Sequence, residues 1–236
     1  MIPRMCEQYV AVGAAPFRIR ELWPMTERLE RFGLAGFGWG ATWLGADGEL
    51  HSHRDVRAFR DDEARERVGG EVTRALLVHL RRPSKFSTIG IPDTQPFDDP
   101  AGRYAFTHNG DLANEGAYRQ RYRAAGRIKG KADTEVAARW LEDEWPGDAA
   151  APDALRRLHE AFGGQANLAV LTRDGAAHHY AGNDENPVFA FDVPAGGELV
   201  RIACTGMYSL DRSVFRYVVP EATNRRLVPR GRTMSL

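Results

Sequence analysis

Two Asp-Gly dipeptides, in Ala46-Asp47-Gly48 and Asp174-Gly175, each divide a pair of short β-type runs. Asp-Gly accepts the positive φ that tight hairpin turns require, so each pair is expected to run antiparallel. The flanking runs are residues 37–44 with 49–54, and 168–172 with 176–180. Further β-type runs lie at 6–13, 188–191 and 199–204. Residues 73–80 enclose the continuous apolar stretch Ala75-Leu76-Leu77-Val78, the pattern of a strand buried on both faces. Residues 106–111 read as a strand running into a tight turn at Asn109-Gly110.

Helical spacing appears between these runs. Leu22, Met25, Leu29 and Phe32 share one face, with Pro24 tolerable only in the first turn. Residues 61–68 predict a short charged helix. Asn114 is placed to cap a helix through Arg123, and Asp133 to cap another reaching Trp145, with Pro146-Gly147 as its stop. Leu155, Leu158 and Phe162 mark one more. Residues 82–102 hold Pro83, Pro92, Pro96 and Pro100 and read as a long loop, a kind that is often functional. The tail from Val214 is basic and partly β-like. Strands and helices therefore come in blocks, with hairpins between strands, which favours an α+β layered domain with largely antiparallel sheets.

Composition narrows the function. Lys+Arg and Asp+Glu both number 32, giving zero net charge, which argues against a general nucleic-acid or anionic-membrane binder. No apolar run approaches the roughly 18 residues of a membrane span, and Arg4, Glu7 and Gln8 interrupt any signal-peptide core. A cytoplasmic protein is expected. Cys6 and Cys204 are too few for a disulfide framework or a zinc site. His51-Ser52-His53 and His178-His179 lack a third ligand at suitable spacing, so no metal is expected, and no cofactor.

Five short segments then stand in order: Met5-Cys6, Gly38-Trp39-Gly40, His79-Leu80-Arg81, His108-Asn109-Gly110 and Asp133-Thr134-Glu135. Together they resemble the class II glutamine amidotransferases of the N-terminal nucleophile (Ntn) hydrolase superfamily, from Met5 to Trp140 and more weakly to Cys204. The match departs from that family at Leu80, where Thr is usual, and at Phe37, where an acidic residue is frequent. The resemblance implies a four-layer αββα sandwich of two largely antiparallel sheets. It also implies hydrolysis of the γ-amide of glutamine to glutamate and ammonia. Residues 1–5 would be a removable leader or a mis-assigned start, and 6–236 a single domain. With no synthase domain in view, the ammonia acceptor would sit on a separate synthase subunit. Cleavage of another γ-glutamyl amide, of the kind met in small-thiol biosynthesis, keeps the same chemistry. A non-catalytic binding or regulatory module on the same fold is a third reading.

The residue types suit that chemistry. Cys6 can serve as nucleophile. If it is the first residue, its own α-amine, with a reference pKa of roughly 7.7–8, can take the thiol proton. The Asn109 side-chain amide and the Gly110 N–H can supply an oxyanion hole. Arg81 can grip a substrate carboxylate with two parallel bonds, and Asp133 the ammonium. His108 is grouped with the substrate site as a buttress of the turn. Trp39 either walls the pocket or is plain core.

Overall fold

A computed structural model describes residues 6–145, 149–206 and 216–236. Strands β1 (Glu7–Arg18), β2 (Trp39–Leu44), β3 (Leu50–Asp55), β4 (Val72–Leu80), β9 (Val188–Ala195), β10 (Glu198–Thr205) and β11 (Thr223–Leu227) form one sheet, in the order β11-β9-β10-β1-β4-β2-β3. A second sheet comprises β5 (Phe97–Asp98), β6 (Tyr104–Asp111), β7 (Gln165–Thr172), β8 (Ala177–Ala181) and β12 (Arg232–Ser235), in the order β12-β8-β7-β6-β5. Each pairing that defines these orders is antiparallel. Both expected hairpins are present, β2 with β3 and β7 with β8.

The helices are α1 (Trp23–Gly33), α2 (Ala64–Gly70), α3 (Glu115–Ala124), α4 (Asp133–Glu144) and α5 (Ala151–Phe162). Pro24 sits in the first turn of α1, where its missing N–H costs no helical bond. Three apolar clusters separate four layers. One packs α1 and the turn before it on the first sheet, with Leu22, Met25 and Leu29 against Tyr9, Trp39 and Leu76. Another packs α4 and α5 on the second sheet, with Val136, Leu141, Leu155 and Phe162 against Phe106 and Leu168. Between the sheets lie Val10, Ala75 and Leu77 facing Ala105, Ala169 and Leu171. This is the expected αββα sandwich. The alternation of β4 explains its unbroken apolar sequence, because Leu76 and Val78 serve one cluster while Ala75 and Leu77 serve the other.

Three local expectations need correction. Asn109-Gly110 makes no turn. Both residues stay in the β6 ladder, opposite Asn167 and Ala166, and the strand continues to Asp111. Pairing with β7 overrides the turn preference of Asn-Gly, and Gly110 takes up the irregularity with φ of 134°. A side chain there would bring its Cβ to 1.7 Å from the Gln165 carbonyl oxygen, so only glycine fits. Asp133 is the first residue of α4 rather than its cap, which is Ala132. Asn114 stands at the N-cap of α3 without a side-chain capping bond. The proposed stop Pro146-Gly147, the tail residue Val214 and residues 1–5 lie outside the described residues.

Candidate active site

A pocket of about 190 Å³ opens at one end of the sandwich. Cys6 reaches it from the start of β1, Arg81 from the end of β4, His108 and Gly110 from β6, and Asp133 from the start of α4. The loop after β4 supplies Ser84, Lys85, Thr88, Asp93 and Gln95 to the wall. Five of the seven residues singled out in the sequence thus meet at one cavity.

Cys6 is half-buried and unbonded to the other cysteine. Its Sγ accepts the Arg82 backbone N–H at 3.3 Å. Loss of water around the thiol pushes its pKa up to about 11; the Arg82 N–H and the Arg81 charge oppose this only in part. The thiol is therefore protonated at neutral pH and needs a base to react. The Arg81 guanidinium is held by the Thr88 carbonyl at 2.7 Å and the Thr88 hydroxyl at 2.9 Å, leaving its Nε buried and without a partner among the described residues. Arg82 also borders the pocket, and its side chain donates to the Gly33 carbonyl at 3.4 Å.

Asp133 accepts the Leu112 N–H at 3.1 Å and the Thr134 N–H at 2.8 Å, which fixes the chain leaving β6 against α4. His108 lies beside it, with Nδ1 at 3.1 Å from the Thr134 hydroxyl and 3.8 Å from Asp133 Oδ1. Burial holds the His108 ring below its ordinary pKa, so it stays neutral near neutral pH. Asn109 points the other way. Alternation along β6 sends its side chain to the face of Ala105, toward the first sheet. Both polar atoms of its amide are buried without a hydrogen-bond partner among the described residues.

Trp39 takes the core reading. It is fully buried, packs edge-on against Trp23 and Phe59, and donates its indole N–H to Asp62 at 3.0 Å. The rest of its motif has a structural use. A Cβ on Gly40 would lie 2.2 Å from the Gln95 carbonyl oxygen, so glycine lets the proline-rich loop press against β2. Gln95 then reaches β6, donating to the His108 carbonyl at 3.0 Å and accepting the His108 N–H at 2.6 Å. Neither Gln95 nor Asp93, which accepts the N–H groups of Lys131 and Ala132, was readable as a site residue. The signal available was only that they sit in a long loop.

The metal reading also changes in detail. His53 does have acidic neighbours, since ligand atoms of His53, Asp55 and Asp62 lie within 4.8 Å of one another. They stand outside the pocket lining, and the Arg57 guanidinium already bridges Asp55 and Asp62 at 2.9 and 2.8 Å. His179 belongs to the layer between the sheets, with Nε2 at 3.3 Å from Gln8 Nε2. Among the described residues no helix is long and apolar enough to cross a membrane.

Residues 88–190 match the family model described as a glutamine amidotransferase domain. That match holds His108, Asn109, Gly110 and Asp133, while Cys6 and Arg81 fall outside it. A curated relative, the isomerizing glutamine–fructose-6-phosphate aminotransferase of Thermococcus kodakarensis, is 27% identical over 126 residues, covering 48% of this chain and 21% of its own. Among solved structures, the glutamine phosphoribosylpyrophosphate amidotransferase of B. subtilis aligns with a TM-score of 0.70 at 17% identity, over 98% of this chain and 49% of that one. A glutamine aminotransferase class-II domain protein from Silicibacter pomeroyi aligns at 0.58 and 18%, over 97% and 94%. At such identities the two structures speak for the fold. The chain spans about a fifth of the curated relative and about half of the B. subtilis structure.

Proposed function

Because the chain carries a class II glutamine amidotransferase domain, we propose that it hydrolyses the γ-amide of glutamine, with Cys6 as the nucleophile. The observation that supports this most is the meeting of Cys6, Arg81, Gly110 and Asp133 at one polar pocket. In this reading Arg81 takes the substrate α-carboxylate through its free guanidinium edge, and Asp133 takes the ammonium. The Cys6 sulfur attacks the γ-carbonyl carbon, and its proton passes to the Cys6 α-amine. The oxygen becomes an oxyanion that takes the Gly110 N–H at the pocket and the Asn109 amide from the inter-sheet side, where Asn109 stands behind the pocket lining, toward the face of β1 that also carries Cys6. Alternation along β6 puts that N–H on the side His108 gives to Gln95, where Gly110 lines the pocket. The amine returns the proton to the leaving nitrogen, ammonia departs, and a thioester remains. Water, deprotonated by the same amine, then releases glutamate and the thiol.

A base is indispensable, because the thiol is pushed up to about 11. Inside a peptide bond the Cys6 nitrogen is an amide and cannot be that base near neutral pH. The mechanism therefore requires Met1 to Met5 to be absent from the active form, by initiation at Met5 and its removal or by cleavage before Cys6. In this reading the ammonia is passed to an acceptor, in keeping with the aminating activity in the curated relative's name, and the acceptor is held by a synthase partner. Cleavage of a bulkier γ-glutamyl amide uses the same grip and differs only in the leaving group.

The test compares a form beginning at Cys6 with one in which residues 1–5 are locked on. Glutamate release is measured from glutamine and from bulkier γ-glutamyl amides. Release by the Cys6-first form alone is expected. No release from any of these amides by that form would overturn the reading, and a preference of about 10²-fold for bulky amides would move the substrate to that class.

A further inference from the structure

Behind Cys6, the space between the sheets is polar where the rest of that layer is apolar. Gln8 follows Cys6 on the same face of β1 and pairs with His79 of β4. On the facing sheet, Thr107 and Asn109 of β6 turn into this layer by alternation with Ala105, and His179 of β8 meets Gln8 at 3.3 Å. All five side chains are fully buried, at 0% exposure. Five of their polar atoms have no partner among the described residues, Gln8 Oε1, Thr107 Oγ1, both amide atoms of Asn109 and His179 Nδ1, and the His79 ring has at most a long contact, with the His108 backbone. Such a concentration of open donors and acceptors is rare in folded proteins, where nearly all buried polar groups are paired with protein or with ordered water. Internal waters make about three hydrogen bonds each, so two or three would satisfy the set.

His79 is the group the proposed mechanism leaves unused. Its ring comes from β4 to the β6 backbone, where one nitrogen faces the His108 carbonyl and the other is left for a second partner, with Arg81 and His108 as its electrostatic neighbours. Burial holds it well below its ordinary pKa, so it stays a neutral imidazole with one donor and one acceptor. Asn109 presents the complementary pair, one amide N–H₂ and one carbonyl oxygen, from the opposite wall. An amide with no protein partner is free to rotate, and an oxyanion donor must not be.

We propose that His79 is a positioning residue, which orients the Asn109 side-chain amide through ordered water held between the two sheets. It acts on turnover rather than on substrate capture, because Arg81 and Asp133 hold the amino acid end without it. This rests on the reading of Asn109 as an oxyanion donor. Leucine at position 79 keeps much of the ring's volume and removes both polar atoms, whereas glutamine restores a donor and an acceptor.

The experiment measures kcat and KM for glutamine in the Cys6-first form, with His79→Leu and His79→Gln. It adds thermal unfolding of each and a crystal structure of the unsubstituted protein at a resolution that shows water. Expected are a fall in kcat of about tenfold or more for His79→Leu with KM within twofold, recovery of most of it in His79→Gln, and water density linking His79 to Asn109. Unchanged kcat in a folded His79→Leu would overturn the role, as would parallel loss of kcat in both variants. A dry layer in the crystal would overturn it even if His79→Leu fails to fold. An unsubstituted protein inactive on every γ-glutamyl amide would instead overturn the functional reading, and the water density would then decide the remaining part.

Discussion

Replacing Gln95 by Met should loosen the edge of the second sheet. β5 pairs with β6 over only two residues, Phe97 with Phe106 and Asp98 with Ala105. Continuing that register would set residue 95 opposite His108. There the Gln95 side-chain amide does the work of a strand backbone, accepting the His108 N–H at 2.6 Å and donating to its carbonyl at 3.0 Å. It also reaches the Thr134 hydroxyl at 3.2 Å, which ties the loop to α4. Methionine fills nearly the same volume, so little cavity term enters and the loss is that of the polar partners. Two buried backbone groups are left open at roughly 1–3 kcal/mol each, and some water entry at this edge brings the sum to about 2–4 kcal/mol. For a chain of this size that corresponds to a fall in Tm of about 5–15 °C. Thermal unfolding followed by circular dichroism reads it directly. A fall under about 2 °C, less than about 1 kcal/mol, would refute the idea that Gln95 substitutes for a strand.

Asn109→Ala should lower turnover of glutamine by about 10²-fold or more while changing Tm little, since no protein group among the described residues bonds its amide; a loss of Tm with full activity would reverse the assignment. Arg81→Lys should raise KM, because an ammonium cannot make two parallel bonds to a carboxylate. If glutamine esters without a free α-carboxylate are processed as well as glutamine, Arg81 has another role. The Cys6 thiol, raised to about 11, is protonated below that pH and becomes thiolate above it. Alkylation of Cys6 by iodoacetamide in the form with residues 1–5 locked on should therefore be slow at pH 8 and quicken as pH approaches 11. Fast labelling at pH 7 in that form would show that the thiol has a base other than its own amine.

Much of the fold was legible because its signals are local. The Asp-Gly turns marked two hairpins. The helical spacing of Leu22, Met25 and Leu29 gave α1, with Leu22 as its N-cap, while Phe32, expected on the same face, is exposed. The apolar run before His79 gave a buried strand. Cys6, Arg81, His108, Gly110 and Asp133 were readable as a set only through their order along the chain. What failed is also instructive. Asn109-Gly110 carries the strongest turn signal of its region, yet it stays in the ladder, because β7 supplies backbone partners across its whole length. The φ of Gly110 and the close approach of the Gln165 carbonyl show what the glycine is for.

The roles of Gln95 and of His79, which entered only as part of the His79-Leu80-Arg81 segment, escaped the sequence for a different reason. Gln95 matters because Gly40, fifty-five residues earlier, lacks a Cβ, and because β5 stops two residues short of where pairing with His108 would begin. Neither condition leaves a trace in the loop's own sequence. His79 could be read as buried, since it continues Ala75-Leu76-Leu77-Val78, and a buried histidine is ordinarily a satisfied one. Its polar surroundings follow from what the opposite sheet presents there, the His108 backbone with Thr107 and Asn109 instead of the alanines and leucines found farther along the same layer. Polarity on both walls at one level of the sandwich costs stability unless something fills it. That it occurs at the Cys6 end, and gives way to Val10, Leu77, Ala169 and Leu171 beyond, ties the expense to the pocket rather than to the fold.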